Sequence, residues 1–227
     1  MLLFLKSSSR TVHHYPDQES RIEVNKYKHS DDIDDNDPAG CCTSLTVWRK
    51  SLLFGCNGFT VIGSDGSLVY RVDNYSDNPN QMVLMDGSGN PVFTICRRKQ
   101  KLRLIDVNWL VYNGEVGKYC DTSARKPIFC VKKNVHILKT KQSAIAYVYN
   151  DGNSSAKGCA YMIEGSYKHR SCKILDESRQ VVAEIKRKEA STGGVSFGLE
   201  VFVLVVNAAF DPGFAMSIVL LLDQMFQ

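Results

Sequence analysis

Within "HRSCKILD" (169–176), His169, Cys172 and Asp176 supply the three parts of a thiol-dependent hydrolase: a base, a nucleophile and an acid able to orient the base. Their spacing argues against it. The stretch reads as strand, where side chains three apart point to opposite faces of the sheet, whereas an activated thiol needs its base within hydrogen-bonding reach. A structural cysteine beside an exposed histidine is the expectation, with the hydrolase as its alternative. The other histidines are His13, His14, His29 and His136, and neither Cys-x-x-Cys nor His-Glu-x-x-His occurs. No zinc cage therefore has its ligand spacing, and no catalytic residue, metal or cofactor is expected.

Two other segments invite a ligand. "HSDDIDDNDPAG" places five aspartates between Asp31 and Asp37, but an EF-hand loop needs a glycine at its sixth position, a glutamate at its twelfth and flanking helices. Dense like charge reads instead as a solvated, flexible leader. "DGSGN" (86–90) resembles a phosphate-cradling loop, yet such loops lead from a strand into a helix. This one leads into "PVFTICRRK", which reads as a strand.

Cations are the remaining candidate. In "RRKQKLR", Arg97, Lys99, Lys101 and Arg103 share one face if the strand continues unbroken. Lys132-Lys133, Lys168 to Arg170 and Lys186 to Lys188 provide further clusters. A solvated barrel face accounts for such residues; the sharper reading is a patch for an anionic headgroup, since each Lys or Arg near an anionic leaflet gains about 1 kcal/mol. Nucleic acid is disfavoured. Trp48 and Trp109 sit in strand runs rather than on a basic aromatic platform, and the formal charge of +4 is modest for a duplex binder.

The elements that must position these residues are short. After Cys41, runs of Val, Ile, Leu, Phe, Tyr and Thr alternate with Gly, Asp and Asn at intervals typical of all-β chains, implying about ten to twelve strands. "TVIGSDGSLVYRV" (60–72), "VLMDGSGNPVFTI" (83–95) and "KILDESRQVVAEI" (173–185) share one strand-turn-strand pattern, with reversals at Asp65-Gly66, Asp86-Gly87 and Asp176-Glu177. They read as copied hairpins rather than a copied site.

The last element differs. "FAMSIVLLL" (214–222) is interrupted by Asp223, and a helix over 213–226 is about 21 Å long, short of the roughly 30 Å of a bilayer core. No transmembrane span is expected. Its apolar residues cover every direction around the axis, the mark of a helix in the middle of a core, and Asp211-Pro212 are placed as N-cap and first helical residue. One buried helix with about a dozen antiparallel strands gives an all-β fold: an approximately 12-stranded antiparallel barrel enclosing a central hydrophobic C-terminal helix, which also removes exposed sheet edges.

Domain organisation follows from charge. Residues 1–40 hold five Lys/Arg against eight Asp/Glu, leaving 23 against 16 in the remainder. A leader over 1–41 and a mildly basic domain over 42–227 are expected. "MLLFLKSSSR" lacks the length and the preceding basic segment of a signal peptide, so an intracellular protein is expected, cytoplasmic, at a membrane periphery or in the nucleus. The eight cysteines are scattered, which suggests reduced, mostly buried thiols.

With "LTVWRKSLLF" (45–54), "GFTVIGSDGSLVYRVDNY" (58–75), "VLMDGSGNP" (83–91), "EGSYKHRSCKI" (164–174), "VVAEIKRK" (181–188), "EVFVLVVN" (200–207) and "LLLDQMF" (220–226) in order, the chain after Cys42 resembles the plant LURP-one-related family. That family's barrel with a central helix is similar to the tubby C-terminal domain and the phospholipid scramblases. One departure is visible: Ala208-Ala209 stand where the family usually has Pro-Gly ahead of Phe-Asp, which bears on the tightness of the turn into the helix. The resemblance implies a non-enzymatic protein. Some members are associated with plant pathogen defence, and the tubby relatives bind phosphoinositide headgroups. A monomer that meets an anionic phospholipid headgroup is the expectation, and a protein-interaction scaffold without lipid ligand is its alternative.

Overall fold

In "VFVLVV" (201–206), Phe202, Leu204 and Val206 are buried while the intervening valines are half-covered, the period-two pattern of a strand with one face on a core. Twelve strands occur among the described residues. They are β1 (Thr43–Trp48), β2 (Gly58–Ile62), β3 (Leu68–Asp73), β4 (Gln81–Asp86), β5 (Pro91–Lys99), β6 (Val107–Asn113), β7 (Phe129–Lys133), β8 (Ala144–Asn150), β9 (Tyr161–Ser166), β10 (Ser171–Leu175), β11 (Val181–Arg187) and β12 (Val201–Val206). The helix α1 (Pro212–Phe226) follows them. The computed structural model describes residues 42–73, 80–99, 107–117, 125–134, 144–150, 158–189 and 197–226, all within the unit Ala39–Gln227. The leader expected over 1–41 lies outside the described residues.

Every strand is antiparallel to its neighbours in sequence, and β1 also pairs with β12, from Thr43↔Val206 to Trp48↔Val201, so the sheet closes as a barrel. Closure leaves no edge to be covered. The inward faces of the strands and α1 form one core, in which Met216, Ile218, Val219, Leu220, Leu221 and Leu222 are fully buried. The barrel around a central helix is thus as expected.

The three copied hairpins are alike in detail. At residues 63–67, 86–90 and 176–180 the first residue's N–H donates to the fifth residue's carbonyl and the fourth N–H returns to the first carbonyl. Gly66, Gly89 and Arg179 take the left-handed fourth position, with φ of 82°, 92° and 62°. Each hairpin also carries a register shift at the same place, Val61/Ile62, Leu84/Met85 and Ile174/Leu175. Such turns followed by a left-handed residue belong to hairpins and not to phosphate loops. The aspartates serve the turns: Asp65, Asp86 and Asp176 each accept a backbone N–H, from Ser67, Asn90 and Gln180.

At the entry to α1, the Phe210 N–H donates to the Asn207 carbonyl at 2.9 Å, so Ala208-Ala209 form the turn without Pro-Gly. The Asp211 carboxylate then accepts the Phe214 N–H at 2.6 Å, capping the helix. Phe214 stacks on Phe129 with ring centroids 4.0 Å apart and meets Phe93, Tyr161 and Phe210 edge-on or tilted. Phe93, Phe129 and Tyr161 stand at or near the starts of the odd-numbered strands β5, β7 and β9, so α1 runs parallel to the odd strands. One rim of the barrel therefore surrounds the N-terminus of α1 and carries all three copied turns. The other surrounds its C-terminus and carries the β1–β2 and β9–β10 connections and, among the described residues, the end of β3, the start of β4, the end of β11 and residues 197–200 ahead of β12.

One expectation about cysteine needs correction. Cys42, Cys56, Cys130, Cys159 and Cys172 are reduced, but Cys96 is disulfide-bonded, with its partner outside the described residues. Composition speaks for the chain as a whole and is blind to a single pair that the fold brings together. Cys96 lies on the outer face of β5 in a small apolar cluster with Leu110, Tyr112, Val116 and Cys130.

Candidate functional site

Charge divides between the rims. Around the N-terminus of α1, the described turns and the capping segment hold Asp65, Asp86, Glu115, Asp176, Glu177 and Asp211, with Arg125, Lys126 and Arg179 among them. Around its C-terminus stand Arg49, Lys50, Arg97, Arg98, Lys133, Lys168, Arg170, Arg187 and Lys188, outnumbering Asp73, Glu189, Glu200 and Asp223 among the described residues there. This placement suits the helix, whose C-terminal end carries partial negative charge. Lys133 shows it directly: its ammonium donates to the Met225 carbonyl at 2.7 Å and lies 4.4 Å from the centre of the Phe226 ring.

The C-terminus of α1 is fastened to the rim by a buried carboxylate. The Arg49 guanidinium donates to Asp223 Oδ1 at 2.9 Å, and the Tyr167 hydroxyl donates to the same oxygen at 3.2 Å. Burial, reinforced by the Asp223 charge, raises the Tyr167 phenol far above its ordinary range. Arg49 also reaches Glu200 at 3.4 Å. Burial opposes the charged form of Arg49, but Asp223 and then Glu200 outweigh it and its pKa is raised.

Arg170 departs from the expectation of a surface cation. It is buried in a left-handed conformation, φ 51°, with its guanidinium carbon 4.2 Å from the Tyr167 ring centroid and 4.5 Å from that of Phe202. It donates to the Leu199 carbonyl at 2.8 Å. Its cation serves to hold the β9–β10 turn against the β11–β12 connection, a role that strand alternation does not reveal.

A cleft of about 880 Å³ opens at this rim, within the roughly 300–1,000 Å³ range of small-molecule sites. Pairing between β3 and β4 covers Tyr70↔Asp86 and Arg71↔Met85, and the cleft is lined by Val72 and Asp73 on one side and Gln81 and Met82 on the other. Its charged lining is mixed, with Arg49 and Lys50 beside Asp73, Glu115 and Asp223. Gly58 lies on its wall, where a Cβ would run into the Val72 carbonyl oxygen. The β1–β2 connection beside the cleft is held firmly. The Ser51 hydroxyl donates to Asp73 at 2.5 Å and accepts the Leu53 N–H at 3.0 Å, while the Thr60 hydroxyl donates to the Lys50 carbonyl at 2.7 Å.

Of the four cations expected as a headgroup patch, Arg97 and Lys99 belong to β5, and Lys101 and Arg103 lie outside the described residues. Arg97 falls on the inner-facing register of β5 with Phe93 and Ile95, but at the rim, 5.5 Å from the Trp109 ring centroid. The hydrolase reading loses its geometry. His169 is in the 3₁₀ turn Tyr167–His169 rather than on a strand and is exposed, whereas Cys172 is part of the core. Burial pushes the Cys172 thiol up to about 12, against a smaller downward pull from Arg170, so the thiolate is scarce near neutral pH. Among the described residues, no group of three or more His, Cys, Asp or Glu could hold a metal, and no helix is long and apolar enough to cross a membrane.

Sequence reasoning missed the exposed apolar side chains of this rim: Trp48, Leu52, Phe54, Phe197 and Leu199. A signal was present in "RKSLLFGCNG", where an apolar run sits between cations and a glycine instead of alternating as a strand does.

Comparison with known proteins agrees with the architecture. A solved X-ray structure of a protein from Arabidopsis thaliana is similar in fold, with TM-score 0.57 and 24% identity over 83% of this chain and 94% of that one. Protein LURP-one-related 17 of Arabidopsis thaliana is 46% identical over the full length of both chains, and protein LURP-one-related 8 is 50% identical over 81% of this chain and 87% of its own. The LURP-one-related family profile matches residues 43–223, from β1 to the carboxylate that anchors the helix, and the chain belongs to that family.

Proposed function

We propose that the protein is a non-enzymatic regulator that docks peripherally on membranes by binding anionic phospholipid headgroups at the rim around the C-terminus of α1. The observation that carries this reading is the polarity of the barrel: cations gather at one rim beside an open cleft while the turn aspartates occupy the other. Several Lys and Arg on one surface act together on an anionic leaflet and fade within a Debye length, so only the rim that faces the lipid contributes. The buried Cys172 thiol supports the non-enzymatic part. The family resemblance suggests a role linked to plant defence.

Sedimentation with vesicles tests the proposal. Vesicles containing phosphoinositides are expected to bind more protein than phosphatidylserine vesicles of equal charge. Exchange of Arg97, Lys99 and Lys101 for glutamine is expected to weaken binding at least tenfold, since about 1.4 kcal/mol is a factor of ten and each cation is worth about 1 kcal/mol. Equal, salt-sensitive binding to both vesicles would remove headgroup selectivity. No binding to either would leave the protein-scaffold alternative standing.

A further inference from the structure

The exposed apolar residues of the cationic rim are concentrated in two connections that touch. Leu52 and Phe54 belong to the β1–β2 connection, which follows Trp48; Phe197 and Leu199 precede β12. Because β1 pairs with β12, and the Arg49 N–H donates to the Glu200 carbonyl at 2.8 Å, these connections lie side by side. Phe54 projects entirely into solvent, with a relative exposure of 106%. Chains that remain in water rarely expose several large apolar residues together, so this edge calls for an occupant.

Cations flank it on both sides. The Lys50 ammonium lies 5.3 Å from the Trp48 ring centroid, and the Lys188 ammonium lies 5.8 Å from that of Phe197 while donating to the Thr46 hydroxyl at 3.1 Å. Of the acids beside it, Glu200 is engaged by Arg49, and Asp73 by Ser51 and Arg71. Apolar tips set between lysines match a leaflet interface, where acyl chains take the apolar groups and anionic headgroups take the cations. Tryptophan favours the same depth. The hydrogen bonds of Ser51 and Thr60 hold the connection in place, so little order has to be gained on insertion.

The geometry points to the β1–β2 connection, with Phe54 and Leu52 at its apex and Phe197 and Leu199 beside it, as an edge that inserts into the interface of an anionic bilayer. This inference rests on the headgroup reading and adds to it the orientation of the barrel and the residues that enter the lipid.

The full chain is the material for the test, with phosphatidylcholine vesicles containing phosphatidylserine and phosphoinositide, made with and without brominated acyl chains. Of the two tryptophans, Trp109 is buried and Trp48 exposed, so quenching by brominated chains reports on Trp48. Wild type is expected to bind with quenched emission. Phe54→Ser is expected to bind about tenfold more weakly at unchanged thermal midpoint, and Phe54→Trp to retain binding. Charge-dependent binding that Phe54→Ser leaves unaltered, with no quenching, would overturn the insertion while preserving the headgroup reading. Absence of wild-type binding would overturn both.

Discussion

A chain ending at Asp211 is expected to show no cooperative unfolding transition. Such a chain retains all twelve strands and every hairpin turn, and loses only α1. Yet α1 places Phe214, Met216, Ile218, Val219, Leu220, Leu221, Leu222 and Met225 in the core, the six central ones with no exposure at all. At about 1.5–3 kcal/mol per side chain, the burial lost is on the order of 12–24 kcal/mol, an upper estimate because unfolded chains already bury some surface. A domain's whole stability is about 5–15 kcal/mol. An empty barrel would also leave its inward side chains without partners, and close packing tolerates no void of that size. Thermal melts by circular dichroism, with dye binding to report exposed apolar surface, check the result. A sharp transition near the full-length midpoint would show that the strands stand without the helix.

Arg49→Gln is expected to destabilise the protein by about 3 kcal/mol, more than Asp223→Asn, although both break the same pair. The asymmetry comes from burial. The Asp223 side chain is 4% exposed and the Arg49 side chain 32%. Removing the guanidinium leaves the carboxylate in the core without the Arg49 cation, and a buried charge that loses its counter-ion is costly. Removing the carboxylate's charge instead leaves a guanidinium that can turn to water and to Glu200, so the loss is nearer that of one charge-assisted hydrogen bond, about 1.5 kcal/mol. The double variant is expected to cost less than the sum, because neither charge is then left behind. Urea midpoints of the three variants decide this. Equal single costs, or the reverse order, would mean that Asp223 is not the buried member.

Periodicity made most of the fold legible. Period-two alternation marks β12, the Asp and Gly residues mark the copied turns, and the all-round apolar run with Asp211-Pro212 before it marks a capped, buried helix. These are local signals, and the barrel is their economical closure. The rim was legible only in part. Arg49, Tyr167 and Asp223 each stand within a quoted family segment, but Arg49 and Asp223 are 174 positions apart and Tyr167 and Asp223 are 56 apart, and no spacing rule links them. Arg170 reads as one more surface cation between Lys168 and Lys173 because a left-handed turn, invisible to alternation, folds it inward over Tyr167. Phe54 was passed over for the opposite reason. An apolar residue is expected inside, and exposure is a property of the closed barrel, not of the stretch "SLLFG".

The central claim is that one rim of a charge-polarised barrel faces lipid. Amide hydrogen exchange of the full chain, with and without anionic vesicles, tests it most directly because both rims are read in one experiment. Slowed exchange is expected in residues 49–57 and 197–200, with the copied turns at 63–67, 86–90 and 176–180 unchanged. Protection of those turns, with residues 49–57 exchanging as in the absence of vesicles, would contradict the account.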